Sequence, residues 1–338
     1  MIKTMTMEHV KALYPELFGA TFKATAPDMT GLSDGAKLQM EMSGNTLGST
    51  GADLWSVVAE EYADAFSKKY ADLSTFCHNV DGVYNVPAGV QPVINVEVVE
   101  TAGAALVNTE NWEESALVNN YAEVRASRVS RPLALTSYDL AKGEKWAGKR
   151  KAAIQAVIEG VFAQLAATVA AVCPTEAAAA TAKKVGRVTV DAGTFTPDFV
   201  AQRLSGLFGE YGQTEVLLLN PTLWSKVIPT NALGLNPETE GTLGIGQMQM
   251  SAGLGALAGD GKGVGLAAMR SGIAYGGGVP HIAAELGCAV RSLGTICGIP
   301  MVLKVWGKPG SEAIYESVET LAGFTVVQPQ KVAVLATA

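Results

Sequence analysis

The sequence predicts an α+β protein dominated by extended segments and one very long helix, and three observations carry that reading. Residues 92–100 and 121–131 are extended segments on either side of a polar, acidic stretch, the pattern of a long hairpin. Residues 144–172 carry a single apolar stripe at helical spacing: Ile154, Val157/Ile158, Val161/Phe162, Leu165, Thr168/Val169 and Val172. Residues 187–227 then alternate strand, helix, strand and helix, an α/β unit.

Taken in order, residues 1–50 hold Pro15, Pro27 and Gly31, Gly35, Gly44 and Gly48 and keep no period. They are expected to form an extended arm with one short helix around residues 8–13, stable only along another surface. Residues 52–70 are expected to be helical, since Leu54, Val57/Val58, Tyr62 and Phe66 recur at three- and four-residue spacing and Thr50 can cap them. In the first hairpin strand Ile94, Val96 and Val98 alternate with Asn95 and Glu97. The polar tip contains Glu110-Asn111-Trp112-Glu113-Glu114, and the return strand carries Arg125, Arg128 and Arg131. Such a hairpin is too long and too polar to pack on its own core, so it implies a partner that receives it.

The long helix would span roughly 43 Å at 1.5 Å per residue, with Pro174 stopping it. Residues 187–191 are a short strand, and Thr196 caps a helix over 197–210 with Pro197 at its first position. Val216 to Leu219 is an apolar buried strand leading into a helix at 222–227, closed by Pro229. Residues 241–278 are glycine-rich and are expected to be irregular; 301–306 and 324–335 are expected to be closing strands.

Composition narrows the function. The 338 residues are 48% apolar but only 17% charged, below the usual quarter, which points to apolar surface hidden against partner chains. Scaling of surface with size buries about three quarters of it, so no disulfide or metal staple is required. A net charge of −7 with no basic tail argues against a dedicated nucleic-acid binder. Cys77, Cys173, Cys288 and Cys297 are far apart and suit buried thiols in a reducing compartment. Residues 1–18 have no continuous apolar stretch, so no signal peptide is expected. Residues 152–173 could mimic a membrane span, but Glu159, Gln164 and the one-sided stripe favour a core helix.

Motifs with chemical meaning lack their context. Gly31-Leu32-Ser33-Asp34-Gly35 matches a nucleophile elbow, yet no apolar strand precedes it. Gly253-Leu254-Gly255-Ala256-Leu257-Ala258 matches a loose dinucleotide loop, yet Gln247-Met248-Gln249-Met250 before it is a poor buried strand. Residues 255–262 are one residue too long for a phosphate loop, with Gly263 where Ser or Thr must stand. His9, His78 and His281 are unpaired at metal-ligand spacing. The basic run over 142–151 suits a solvated helix face. No catalytic, cofactor-binding or metal residue is therefore expected, and no cofactor.

The order of elements, with Arg131-Pro132-Leu133-Ala134-Leu135-Thr136 leading into the long helix, Val216 to Trp224 in the α/β unit and Gly323-Phe324-Thr325-Val326-Val327-Gln328-Pro329 near the end, resembles the major capsid proteins of tailed bacteriophages, the Hong Kong 97-type fold. The resemblance implies an N-terminal arm and helix (1–75), an extended loop (76–137), a peripheral domain with its spine helix (138–195), an axial domain (196–300) and closing strands of the peripheral domain (301–338). It implies a subunit that assembles with itself into hexamers and pentamers of an icosahedral shell around double-stranded DNA, in the virion and assembled in the host cytoplasm. Scaffolding, portal and decoration proteins are the further partners it brings, with no membrane. The first 50 residues are not a charged heptad segment, which points to a separate scaffolding protein or none. Some relatives cross-link through a loop lysine; residues 71–141 contain no lysine, so the joints are expected to be non-covalent. Glu110, Trp112, Glu113, Glu114, Arg125, Arg128 and Arg131 are the expected intersubunit contacts. The competing readings are an encapsulin-type nanocompartment shell and an α/β enzyme using residues 241–278.

Overall fold

The computed structural model describes residues 62–79, 86–87, 93–99, 119–136, 144–181, 183–191, 193–227, 245–257, 264–281, 288–307 and 313–337. Residues 62–67 form helix α1, followed by α2 (Leu73–Phe76), β1 (His78–Asn79) and β2 (Val86–Pro87). The hairpin strands are β3 (Val93–Val99) and β4 (Asn119–Arg125), and β5 (Ser127–Thr136) leads to the long helix α3 (Glu144–Ala171). Then come β6 (Gly186–Val190), α4 (Pro197–Phe199), β7 (Val216–Leu219), α5 (Pro221–Val227) and β8 (Gln247–Met250). The rest is mainly strand: β9 (Val264–Ala268), β10 (Ile273–Gly278), β11 (Pro280–His281), β12 (Ala289–Ile296), β13 (Ile299–Gly307), β14 (Ala313–Val326) and β15 (Val332–Thr337).

The stripe expected on the long helix is the face that α3 buries. Ile154, Val157, Ile158, Val161, Phe162, Leu165 and Val169 are all fully buried. Spacings of three and four residues place them on one side, which packs on β5 and β14. Each such side chain contributes roughly 1.5–3 kcal/mol on burial. The 28 residues span roughly 42 Å. The helix ends three residues before Pro174, as a proline requires.

Strand β14 organises the first sheet. One edge pairs antiparallel with β5 over residues 313–322; the other pairs with β13 and then, end to end, with β10. β12 and β13 are joined by the two-residue turn Cys297-Gly298, both residues in the left-handed region (φ 53° and 74°). That geometry matches the twist of a tight hairpin. A Cβ on Gly298 would lie 2.5 Å from Asp72 Oδ1, so glycine is also demanded by the approach of α2.

The second sheet has the order β6-β15-β9-β7-β8. β7 is buried on both faces: Val216 and Leu218 join the α3 core, while Leu217 and Leu219 join a second core with Phe195, Leu204 and Leu223. A strand covered on both sides is a continuous apolar run rather than an alternating one.

Three expectations change. The helix over 197–210 is α4, then a π turn at Val200–Leu204 and a 3₁₀ turn at Gly209–Tyr211. The Thr196 cap is present, its Oγ accepting from Phe199 N at 3.3 Å. Beyond it, Thr214 donates through its hydroxyl to the Leu204 carbonyl and through its N–H to the Ser205 carbonyl, competing with regular α-helical bonding. Within 241–278 the described residues, 245–257 and 264–278, are not irregular; they contain β8, β9 and the glycine-rich β10. Glycine there is a packing requirement: a Cβ on Gly265 would sit 2.9 Å from both Leu219 and Leu335 side chains. The extended stretch over 324–335 breaks at a 3₁₀ turn, Pro329–Lys331. Residues 301–337 therefore serve both sheets, β13 and β14 in the first and β15 in the second, and β12 from the preceding segment also lies in the first.

Candidate assembly surface

The hairpin is shorter than expected: its return strand ends at Arg125, and Arg128 and Arg131, expected on that strand, lie on β5, which pairs with β14. β3 and β4 pair antiparallel from Val93↔Arg125 to Val99↔Asn119, and among the described residues they form a sheet of two strands only. A two-stranded ribbon is marginal in water without a surface to lie on. Its root is anchored on the face of the first sheet opposite α3. Val124 packs against Ala274 and Val327. A Cβ on Gly323 would lie 2.6 Å from the Arg125 carbonyl oxygen, so backbone crosses backbone there and only glycine fits.

Of the expected contact residues, Glu110, Trp112, Glu113 and Glu114 lie outside the described residues. The three arginines separate. Arg125 forms a forked pair with Glu123 on its own strand, Nε at 3.1 Å and Nη2 at 2.7 Å, on an exposed surface. Arg128 reaches across the sheet to Glu319 of β14, whose carboxylate is almost fully buried. Arg131 is exposed on β5, opposite Val318, and has no ion pair among the described residues. Arg128 is thus engaged within its own chain.

Two features escaped the sequence reading. Arg150 of α3 and Glu316 of β14 form a buried forked pair (Nε–Oε2 3.2 Å, Nη2–Oε1 2.9 Å; side chains 1% and 0% exposed) that ties helix to sheet. The signal available was two glutamates, Glu316 and Glu319, inside an otherwise apolar strand. The second feature is the seam between α1 and α3. Tyr70 donates to Glu159 Oε1 at 2.7 Å, Gln155 Nε2 donates to the same oxygen at 2.8 Å, and the Tyr70 ring stacks on Phe162. Burial, and then Glu159, push the Tyr70 hydroxyl well above the usual phenol range. Burial opposes the charge of Glu159, but the bonds from Gln155 and Tyr70 prevail and hold its carboxyl below the usual range.

Beside this seam lies an open cleft of about 650 Å³, lined by residues including Asp64, Tyr70, Asp72, Trp224, Gln249 and Cys297. Several of its polar groups serve the fold. Asp72 Oδ1 accepts from Ser74 N at 2.8 Å; Gln249 accepts from Asp72 N at 3.1 Å and donates to Thr75 Oγ1 at 3.0 Å. Burial pushes the Cys297 thiol up to about 12, with Asp72 adding to it, and burial alone raises Cys77 further. Neither is a ready nucleophile. All four cysteines are free thiols. Among the described residues no three His, Cys, Asp or Glu side chains gather at metal-binding distance.

The dinucleotide-like loop also resolves into packing. Gln247–Met250 is a true strand, parallel to β7, contrary to its poor sequence pattern. The residues after it form a 3₁₀ turn lying on α3, where a Cβ on Gly253 would meet Phe162 Cβ at 2.3 Å. The glycine serves the helix contact. His78 lies on β1 and His281 on β11, in different sheets; His9 and the Gly31–Gly35 motif fall outside the described residues. The segment Gly148–Ala171 is long and apolar enough to cross a membrane by length and composition, and its stripe here packs into the core.

No protein-family model matches the chain, and no curated protein matches it. Its mixed α and β fold is similar to solved structures of particles. The virus-like particle from Pyrococcus furiosus matches at 12% identity over 82% of this chain and 97% of that one, TM-score 0.48. The capsid structure of cyanophage P-SCSP1u matches at 11% identity over 80% and 89%, TM-score 0.47. The capsid of a native GTA particle matches at 14% identity over 79% and 90%, TM-score 0.47.

Proposed function

We propose that this chain is a major coat subunit with the Hong Kong 97-type fold, which assembles into an icosahedral shell enclosing the double-stranded DNA of a tailed phage. The observation that carries the reading is the β3–β4 hairpin, a paired ribbon rooted by backbone contact at Gly323 with no third strand among the described residues. Such a ribbon gains stability when a neighbour covers it, and a neighbour related by closed symmetry makes a shell rather than a fibre. Low charge supports the same reading, and a net charge of −7 suits a container in which DNA must move.

In this reading residues 1–75 are the arm and first helix and 76–137 the extended loop. Residues 138–195 with 301–338 are the peripheral domain, and 196–300 the axial domain. Subunits join non-covalently into hexamers and pentamers. Arg131 and the acidic tip, Glu110, Trp112, Glu113 and Glu114, make intersubunit contacts, joined by Arg125 where its pair with Glu123 opens. The role is structural, without catalysis or cofactor, and scaffolding, portal and decoration proteins are its partners in the virion.

The test is negative-stain microscopy of the purified protein, expressed alone and with its neighbouring genes. Closed, uniform shells are expected. A homogeneous small oligomer in both preparations overturns the reading.

A further inference from the structure

We propose that Pro132 and Arg131 guard the outer edge of β5 and so keep folded subunits from joining edge to edge by strand addition. The inference is independent of the shell reading, because it concerns the folded subunit before any assembly.

β5 is ten residues long and pairs with β14 along one edge. Among the described residues no strand lies along its other edge. Ser130, Arg131, Pro132 and Ala134 are all exposed. A strand of that length with an open edge is a template for any other extended chain, a second copy included. Addition of that kind does not close on itself, so it leads to open-ended filaments.

Pro132 stands inside this strand, opposite Ser317 of β14. Proline has no N–H to donate, so its place in an unbroken ladder is one where the N–H would point outward. Backbone direction alternates along a strand. Val129, Arg131 and Leu133 therefore turn their backbone groups to β14, and Ser130, Pro132 and Ala134 turn theirs to the open edge. An incoming strand would meet a missing donor and a pyrrolidine ring near the middle of that edge.

Arg131 adds a second obstacle. Side chains alternate between the two faces, and Val129 and Leu133, on either side of Arg131 in that alternation, pack against the α3 core. Arg131 thus stands on the core side of the sheet, yet it is exposed and has no ion pair among the described residues. A strand added beside it would strip water from that charge. A charge on the core-facing side of an edge strand opposes strand addition for this reason.

The β12 edge of the same sheet is interrupted by other means. Its register with β13 shifts between Ser292 and Gly294, and Gly294 has φ 72°. Such a bulge bends an edge strand away from a straight partner. Both long edges are therefore broken near the middle, one by a bulge and one by a proline beside a core-side cation.

The test is Pro132→Val, which restores the N–H and favours a strand. At equal concentration it is expected to form thioflavin-positive filaments at least tenfold faster than wild type, with the circular dichroism of the dispersed protein unchanged. Hydrogen exchange at the Ser130 and Ala134 amides should slow in those filaments. Ser130→Pro combined with Pro132→Val moves the proline to the next outward position and is expected to return the rate to that of wild type. Arg131→Thr combined with Pro132→Val should raise the rate further; an unchanged rate overturns the share given to Arg131. A folded Pro132→Val chain that forms filaments no faster than wild type overturns the proposal. A Pro132→Val chain that loses its fold also overturns it, because an open edge accepts valine.

Discussion

Helix α3 and the β3–β4 hairpin are both long, yet they are stabilised in opposite ways. α3 buries an unbroken stripe on its own sheet and adds the Arg150–Glu316 pair, with neither partner in water. Among the described residues the hairpin meets the first sheet at its root, through Val124 and the glycine crossing at Gly323. The first is a folding element complete in one subunit; in the proposed reading the second is completed by a neighbour's surface. Substitutions at the two places should therefore report on different events, folding for one and assembly for the other.

The largest expected effect is on the helix side. Glu316→Ala leaves the Arg150 guanidinium buried without its carboxylate and should cost about 3–5 kcal/mol in chemical denaturation. Replacing both partners by apolar residues of similar volume should recover most of that loss, which separates an uncompensated charge from lost packing. Next comes Gly323→Val, which forces the hairpin root off the sheet at a cost of about 1–3 kcal/mol. Proteolysis should then cut within residues 93–125 while the α3 core survives; equal protection of the hairpin in variant and wild type would contradict the crossing.

Tyr70→Phe removes a hydrogen bond to Glu159 and should cost about 1 kcal/mol. Glu159 also sets a pH dependence. Its folded carboxyl is depressed, so its contribution is present above the unfolded value near ~4.3 and is lost as pH falls through the folded one. Melting curves taken from pH 7 to pH 3 should fall more steeply for wild type than for Glu159→Gln. The smallest effect on folding is expected at Arg131→Glu, within about 0.5 kcal/mol, because the side chain is exposed and has no ion pair among the described residues. Particle yield should nevertheless drop. Arg128→Glu is a poorer probe of assembly, since it sets a second carboxylate against the buried Glu319.

Elements with a strong local period were legible in advance: α3 from its stripe and Pro174, β7 from four consecutive apolar residues, the Thr196 cap from the proline after it, and the hairpin from an alternating first strand and a second extended segment beyond the acidic stretch. What failed was the glycine-rich region, because residues without side chains show no alternation, and β9 and β10 use glycine for close approach. The candidate surface was legible in part. Three arginines at three-residue spacing were visible, but not that Arg128 would meet Glu319, 191 residues away.

The sequence by itself therefore determined the mixed helix-and-strand class, the long helix and the presence of a hairpin, because each is written in local periodicity. Only the tertiary structure decided which strands share a sheet, that β15 leaves β14 for the second sheet, and which charges are paired within the chain. Those outcomes depend on contacts between residues far apart in the chain, and local pattern carries no record of which distant partner a residue will meet.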